Sequence, residues 1–267
     1  MAEFDFRSAS IEEIGAALRG DGCVLLRHFV AADDLARLRE TIDAVAPPGA
    51  LHFNDRDMRA RGRPHFYDYL FADKHRALVE SLVGAGFRVS PNTVTRRVDA
   101  EAIDADADGD GYQQPLPPHL DAFFHRFDWT LNFWVPFRAC GRDAPSLGVV
   151  RAPVEEAQAY TGYDGRRRRR GSAEGWNFAN FANPNFAVDD LRGAFGERVW
   201  TPEYALGDAM LLSNWTLHFT HSAPEMTERR GNVELRFTAR AGLAEALSQA
   251  FKPALARMAG AAAFSRS

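Results

Sequence analysis

His119 and Asp121 stand two positions apart in the segment Gln114-Pro-Leu-Pro-Pro-His119-Leu-Asp121. On extended backbone, residues i and i+2 project to one face, so this imidazole and carboxylate can reach a common point. One more imidazole from a distant strand would complete a two-His-one-carboxylate set, which occupies one side of a divalent metal and leaves the other positions open. Iron(II) in such a set has room for a bidentate oxo-acid and for dioxygen. A His-x-Asp tripeptide is common by chance, and a lone loop histidine is ordinarily exposed or hydrogen-bonded. The weight therefore falls on what accompanies it.

The companion segment is LLSNWTLHFTHSAPEMTERRGNVELRF, residues 211–237. It reads as a strand rising to His218, a turn over Ala223 to Thr227, and a second strand returning through Val233 to Phe237. With Pro224 near the centre of such a hairpin, His218 and Arg230 face each other across the two strands. A guanidinium in that place can clamp a carboxylate bidentately, which suits the far end of a diacid such as 2-oxoglutarate whose other end chelates the metal. Thr220 shares the face and offers a hydroxyl. His221 competes with His218 as the third ligand, and Arg229 with Arg230 as the clamp. Register favours His218 and Arg230, because His221 and Arg230 lie too close around the turn to face a shared ligand of that size.

Further candidates surround these residues. Asn232, Glu234 and Arg236 alternate with Val233, Leu235 and Phe237. If the apolar set packs against helices, the polar set faces the cavity, where its partners are either a polar substrate or one another as an ion pair. Phe123, Phe124 and His125 follow the metal segment and either wall the pocket or pack in the core. The aromatic loop WNFANFANPNF, residues 176–186, is the natural lid over a rigid scaffold.

The elements that must position these groups change character along the chain. Residues 10–19 read as a helix capped by Ser10, ended by Gly20-Asp21-Gly22, and CVLLRHFV as a strand. Ala31 to Ala46 carries Leu35, Leu38, Ile42 and Val45 at helical spacing, residues 75–87 form another helix, and residues 89–100 a strand. From residue 119 onward, short segments rich in β-branched and aromatic residues alternate with turn clusters such as GRDAP and EMTERRG. Helices first and many short strands after predict one domain over residues 1–267, helix-rich to residue 100 and with a β core over 119–240. The expected class is mainly β with flanking helices: a jelly-roll, cupin-like core with the N-terminal helices on one sheet.

Composition narrows the function classes. A formal charge of −4 gives no reason to expect a nucleic-acid partner. No apolar run approaches the roughly 20 residues that span a bilayer, and the N-terminus lacks a basic-then-apolar signal pattern. Two cysteines, Cys23 and Cys140, are too few for a disulfide framework. These features predict a cytoplasmic protein, a monomer or homodimer, acting on a small molecule. DADADGDG, residues 104–111, has a calcium-loop flavour, but Pro115 stands where an EF-hand needs its bidentate Glu. Arg166 to Arg170 reads as a solvated loop.

Together these segments resemble the phytanoyl-CoA dioxygenase group of iron(II)/2-oxoglutarate oxygenases over most of the chain. GDGCVLLRHFVAADDLARLRETIDA is similar to that family's N-terminal strand–helix unit, QPLPPHLD to its first metal motif, and TLNFWVPF with SLGVV to its core strands. GDAMLLSNWTLHFTHSAPEMTERRGNVELRF is similar to its second histidine, hydroxyl residue and arginine. The resemblance implies a double-stranded β-helix, iron(II), 2-oxoglutarate and dioxygen, with hydroxylation or a related oxidation such as desaturation or cyclisation. It also implies that Gln114, Asn132 and Trp134 line the co-substrate pocket; read alone, Asn132 is a satisfied buried amide and Trp134 core. Asp121 favours hydroxylation over chlorination, since related halogenases lack this carboxylate. The contrasting expectations are a metal-free jelly-roll binding protein and another metalloenzyme on the same architecture. Both leave Arg230 without a carboxylate to meet.

Overall fold

Capping chemistry starts the first helix where the sequence places it. In the computed structural model, which describes residues 2–46, 52–90, 93–98, 116–123, 129–161 and 187–239, the Ser10 hydroxyl accepts the Glu13 N–H and the Glu13 carboxylate accepts the Ser10 N–H. This reciprocal box satisfies donors that a helix start leaves unpaired. Helix α1 (Ile11–Asp21) ends at Gly22, whose φ of 71° is the left-handed conformation that favours glycine. The chain continues through β2 (Cys23–Arg27), which pairs in parallel with β1 (Glu3–Asp5), and then α2 (Ala32–Val45). Next come β3 (His52–Asn54), α3 (Asp55–Ala60), α4 (Phe66–Leu70), α5 (Asp73–Val83), β4 (Arg88–Val89) and β5 (Val94–Val98). The second half supplies β6 (Thr130–Pro136), β7 (Ser146–Val150), α6 (Val154–Thr161), α7 (Val188–Phe195), β8 (Val199–Trp200), β9 (Ala209–Ser213), β10 (His218–His221) and β11 (Arg230–Thr238).

These strands make two sheets. The larger runs β1-β2-β9-β6-β11-β5-β3, with β4 also on β11, and the smaller runs β10-β7-β8. Period-2 alternation decides which side chains each layer receives. Val233, Leu235 and Phe237 of β11 join Leu131, Phe133 and Val135 of β6 in one buried cluster with Leu18, Leu35, Leu38, Phe66, Leu78 and Val79 from the helices. The opposite face of the large sheet turns toward the small sheet. There Leu25, Trp134, Met210 and Leu212 pack with Leu147 and Val149 of β7. The outer face of the small sheet is closed separately, by Phe219 and Val150 against Ala157 of α6 and Leu191 and Phe195 of α7.

Two expectations change. The fold is mixed sheet and helix rather than mainly β: seven α-helices lie among the described residues, and they cover the small sheet as well as the large one. Helices α3 and α4, of 6 and 5 residues, are too short for a periodic pattern to announce them. The second correction concerns the expected hairpin. β10 pairs with β7 in the small sheet, while β11 pairs with β4, β5 and β6 in the large one. Residues 222–229 therefore cross from one sheet to the other, fixed where the Thr227 and Glu228 N–H groups donate to the Asp143 carbonyl at 3.0 and 2.9 Å. A turn signal between two half-buried strands reads the same whether the second strand folds back on the first or joins a facing sheet. Among the described residues, no helix is long and apolar enough to cross a membrane.

Gly148 sets a close approach that matters to β10. It pairs with Phe219, between His218 and Thr220, and a Cβ at position 148 would overlap the Phe219 ring. That ring is buried among its cluster and has nowhere to move without shifting β10. Gly148→Ala is expected to cost about 1–3 kcal/mol of stability by overpacking, read as a lowered urea midpoint; an unchanged midpoint would show that β10 tolerates the displacement.

Candidate metal centre

His119, Asp121 and His218 converge in the interior between the sheets. All three are buried, and one ligating atom from each lies within 4.8 Å of the other two. Asp121 Oδ1 sits 3.8 Å from His119 Nε2 and 3.7 Å from His218 Nε2, and the two imidazole centroids are 4.3 Å apart. No other group of three or more His, Cys, Asp or Glu side chains among the described residues has this geometry.

Backbone pairing brings the two histidines together. His119 and His218 form an isolated antiparallel bridge, exchanging N–H···O bonds of 2.9 and 3.1 Å. One step along, the Thr220 N–H donates to the Leu116 carbonyl at 2.9 Å, and the Leu116 N–H donates to the Thr220 hydroxyl oxygen at 3.0 Å. Thr220 thus fastens the His-x-Asp segment to β10. Asp121 opens a 3-10 turn (Asp121–Phe123) rather than continuing an extended strand, and the Ala122 N–H that follows it donates to the Asn214 carbonyl at 2.7 Å. Asn214 in turn accepts the Thr130 N–H on its side chain at 3.0 Å and donates its own N–H to the Thr130 carbonyl at 2.9 Å. The turn before β10 is thereby fixed to the start of β6.

Each imidazole is oriented by its far nitrogen. His119 Nδ1 lies 2.7 Å from the Pro117 carbonyl and His218 Nδ1 lies 2.8 Å from the Thr216 carbonyl. A carbonyl only accepts, so Nδ1 of each ring donates to it and Nε2 is the nitrogen turned toward Asp121. Burial, and after it the neighbouring His218, pull His119 down to about 3, so it is a neutral donor at physiological pH. On the Asp121 carboxylate, Oδ2 accepts from Asn132 Nδ2 at 2.5 Å and from Arg236 Nη2 at 3.4 Å.

The inward face of β11 carries the remaining charge. Arg230 is 2% exposed, its Nη1 donates to the Ser146 carbonyl at 3.2 Å, and its guanidinium lies 5.5 Å over the Trp134 ring. Its Nε has no partner, and among the described residues no carboxylate forms an ion pair with it. Burial first, and then Arg96, lower Arg230 to about 10, which still leaves it charged near neutrality. Burial alone would raise the Glu234 carboxyl, but Arg236 and Arg96 outweigh it and hold it below its ordinary value. Glu234 bonds directly to Arg236 and also accepts from Asn232 Nδ2 at 3.3 Å.

Against the sequence reading, the structure brings His119, Asp121 and His218 to one point, and places Arg230, Thr220, Asn132, Trp134, Glu234 and Arg236 in the same interior. Asn132 is hydrogen-bonded to Asp121, and Trp134 packs at 4.8 Å against Tyr204 while carrying Arg230 on its face. Of the competing residues, His221 is half-buried and outside the cluster, and Arg229 is exposed where Arg230 is buried. Phe123 closes the 3-10 turn, with its side chain outside the described residues. Gln114, Phe124, His125, Arg166 to Arg170 and the aromatic loop over 176–186 also lie outside them. Sequence reasoning missed Arg96, whose Nη1 lies 4.0 Å from Glu234. Its signal was a basic residue alternating within the strand pattern of Val94 to Val98. It also missed Asn214, whose side chain imitates a strand backbone, a role no local pattern announces.

No protein-family model matches the chain, and no curated protein matches it. Solved structures do. The epimerase SnoN, in complex with Fe3+, alpha ketoglutarate and nogalamycin RO, is similar with a TM-score of 0.52 and 19% identity over 86% of this chain and 83% of that one. AviO1 from Streptomyces viridochromogenes Tue57 gives 0.54 and 12% over 88% and 98%. EvdO2 from Micromonospora carbonacea var. aurantiaca, complexed with 2-oxoglutarate, gives 0.52 and 14% over 85% and 89%. At these identities the likeness is one of fold.

Two outcomes follow from the geometry. His218→Ala is expected to abolish tight binding of a divalent metal while His221→Ala retains it, measured by calorimetry; the reverse result would move the third ligand to His221. The second concerns acid. Unfolded, the His119 imidazole takes a proton near its ordinary value of 6.5, whereas the folded one refuses it until about 3. The unfolded state therefore binds more protons in that window, and stability falls as the pH drops through it. Urea midpoints of the metal-free protein at pH 7 and pH 5 should show this loss, and His119→Gln should flatten it.

Proposed function

We propose that this chain is an iron(II)- and 2-oxoglutarate-dependent oxygenase of the phytanoyl-CoA dioxygenase kind, on a double-stranded β-helix, hydroxylating an unactivated C–H bond of a small molecule. The observation that carries the reading is the buried His119–Asp121–His218 cluster sharing one interior with a buried arginine, Arg230, that forms no ion pair with a carboxylate among the described residues. The donor set fits iron(II): two imidazoles with Nε2 turned inward, one carboxylate oxygen, and no thiolate among them. The fold shared with SnoN, a structure in complex with Fe3+ and alpha ketoglutarate, and with EvdO2, complexed with 2-oxoglutarate, supports it.

When bound, iron(II), 2-oxoglutarate and dioxygen supply the oxidising chemistry, with conversion of the co-substrate to succinate and CO2. His119, Asp121 and His218 would hold the metal. Arg230, stacked on Trp134, would take the distal carboxylate of 2-oxoglutarate; its direct contacts among the described residues are a carbonyl and an indole face, a desolvated guanidinium so placed is costly, and a dicarboxylate relieves that cost. Thr220 keeps the His-x-Asp segment in register through its hydroxyl. Leu25, Leu147, Val149 and Met210 pack in the buried apolar cluster that also holds Trp134 and would keep water from the adjoining site. The fate of the oxidised substrate is set by how it is seated, so desaturation or cyclisation would use the same residues as hydroxylation.

Anaerobic addition of iron(II) and 2-oxoglutarate should produce the weak visible charge-transfer band of the chelated co-substrate, and admission of air should yield succinate. Absence of both from folded protein would refute the assignment in favour of a metal-free binding protein. Arg230→Ala is expected to weaken 2-oxoglutarate binding about 30-fold or more, equivalent to roughly 2 kcal/mol for a buried charged contact, with Arg229→Ala near wild type.

A further inference from the structure

We infer that Arg236 and Asn132 are a positioning pair that holds Asp121 as a one-oxygen metal ligand, an inference that rests on the metal-centre reading above. The two oxygens of Asp121 have different surroundings. Oδ1 faces both histidine Nε2 atoms, at 3.8 and 3.7 Å, whereas Oδ2 accepts from Asn132 Nδ2 at 2.5 Å and from Arg236 Nη2 at 3.4 Å. A carboxylate can bind a cation through one oxygen or both. With Oδ2 engaged by an amide and a guanidinium, Oδ1 is the oxygen turned toward the histidines, and chelation by both oxygens would use up one of the positions that a co-substrate needs.

The sheet explains why both donors reach the same oxygen. Arg236 and Asn132 are directly opposed in the antiparallel pairing of β11 with β6, so their side chains leave one face of the large sheet side by side. The Asn132 amide has only one workable orientation. A carboxylate accepts and cannot donate, so Nδ2 must turn to Asp121, and the Oδ1 atom is left in the interior without a protein partner.

Glu234 makes the arrangement a shared one. Arg236 Nη2 bonds more closely to Glu234 than to Asp121, and Glu234 is kept anionic by Arg236 and Arg96. Arg236 Nη2 is thus shared between the two carboxylates, pairing with Glu234 on its own strand and with Asp121 Oδ2 at 3.4 Å. An arginine free to close on Asp121 would compete with the metal for the carboxylate. Tethered by Glu234, it restrains Oδ2, while Oδ1 is the oxygen that faces the two histidine Nε2 atoms.

Cobalt(II) tests this directly, because its visible bands depend on coordination number and donor set. Calorimetry and absorption spectra would be recorded on the full chain, wild type, Arg236→Met, Asn132→Leu and Arg236→Lys, with circular dichroism to establish that each folds. Wild type is expected to bind one cobalt per chain. Arg236→Met and Asn132→Leu should bind about tenfold more weakly or worse, as loss of a partner behind a metal ligand typically does, and with altered bands. Arg236→Lys should recover part of the affinity, yet keep altered bands, since an ammonium lacks the planar fork that reaches Glu234 and Asp121 together. If Arg236→Met does not fold, the Lys spectrum decides. Wild-type affinity and bands in the folded variants would overturn the inference, even where the metal-free melting temperature falls, because that pattern marks a purely structural role. Failure of wild type itself to bind cobalt would overturn the metal centre and the positioning pair with it.

Discussion

His119 and His218 exchange both of their backbone hydrogen bonds, at 2.9 and 3.1 Å, although the two residues are separated by much of the chain. A single bridge of this kind sets the spacing of two imidazoles more tightly than side-chain packing can, because it fixes the Cα atoms from which both rings start. Everything else at the site adjusts to that bridge. The Thr220 hydroxyl and the Leu116 backbone extend it by one step, Asn214 anchors the turn on its far side, and the Pro117 and Thr216 carbonyls rotate the rings so that both Nε2 atoms point inward.

The bridge would be of little use without a polar interior, and the large sheet supplies one through alternation. Val233, Leu235 and Phe237 spend their burial on the helices, which commits Asn232, Glu234 and Arg236 to the opposite face. Charges placed there are stable because they are mutually paired: Glu234 lies between Arg236 and Arg96, and Asp121 lies between Asn132, Arg236 and the histidines. Arg230 differs from the rest, for its described contacts are a carbonyl and an indole face. An enclosed guanidinium with a weak set of neutral partners is the kind of group for which a bound anion is the natural complement.

The division of labour between layers also explains how one fold holds a polar cluster inside a braced apolar frame. The helix-facing core and the cluster beneath α6 and α7 are apolar and close-packed, down to Gly148 giving way to the Phe219 ring. The interior between the sheets is apolar around Leu147, Val149 and Met210 and polar around Asp121 and Arg236. The candidate ligands therefore stand on a strand, a turn and a bridge that are braced from outside, with the polar chemistry confined to side chains that project inward.

Much of this was legible in the residues. Ser10 with Glu13 announced a helix start, Leu35, Leu38 and Ile42 announced α2, and the alternation in β11 announced which side chains face the helices and which face the cavity. The members of the candidate cluster were legible too, because an imidazole and a carboxylate two residues apart, with a histidine and an arginine near a later turn, are chemistry written in residue types. What the sequence could not express was how the later strands are distributed between layers. His218 and Arg230 were expected on one hairpin, yet β10 and β11 belong to facing sheets and meet across the interior. Local pattern reports only that a strand is half-buried, and pairing partners are chosen by long-range hydrogen bonding that no window of residues contains. For the same reason the role of Asp121's second oxygen, with Asn132 and Arg236 converging on it from neighbouring strands, belonged to the tertiary structure alone. Composition and spacing determined which atoms could bind a metal; the register between β6 and β11 and the bridge from His119 to His218 decided how those atoms are aimed.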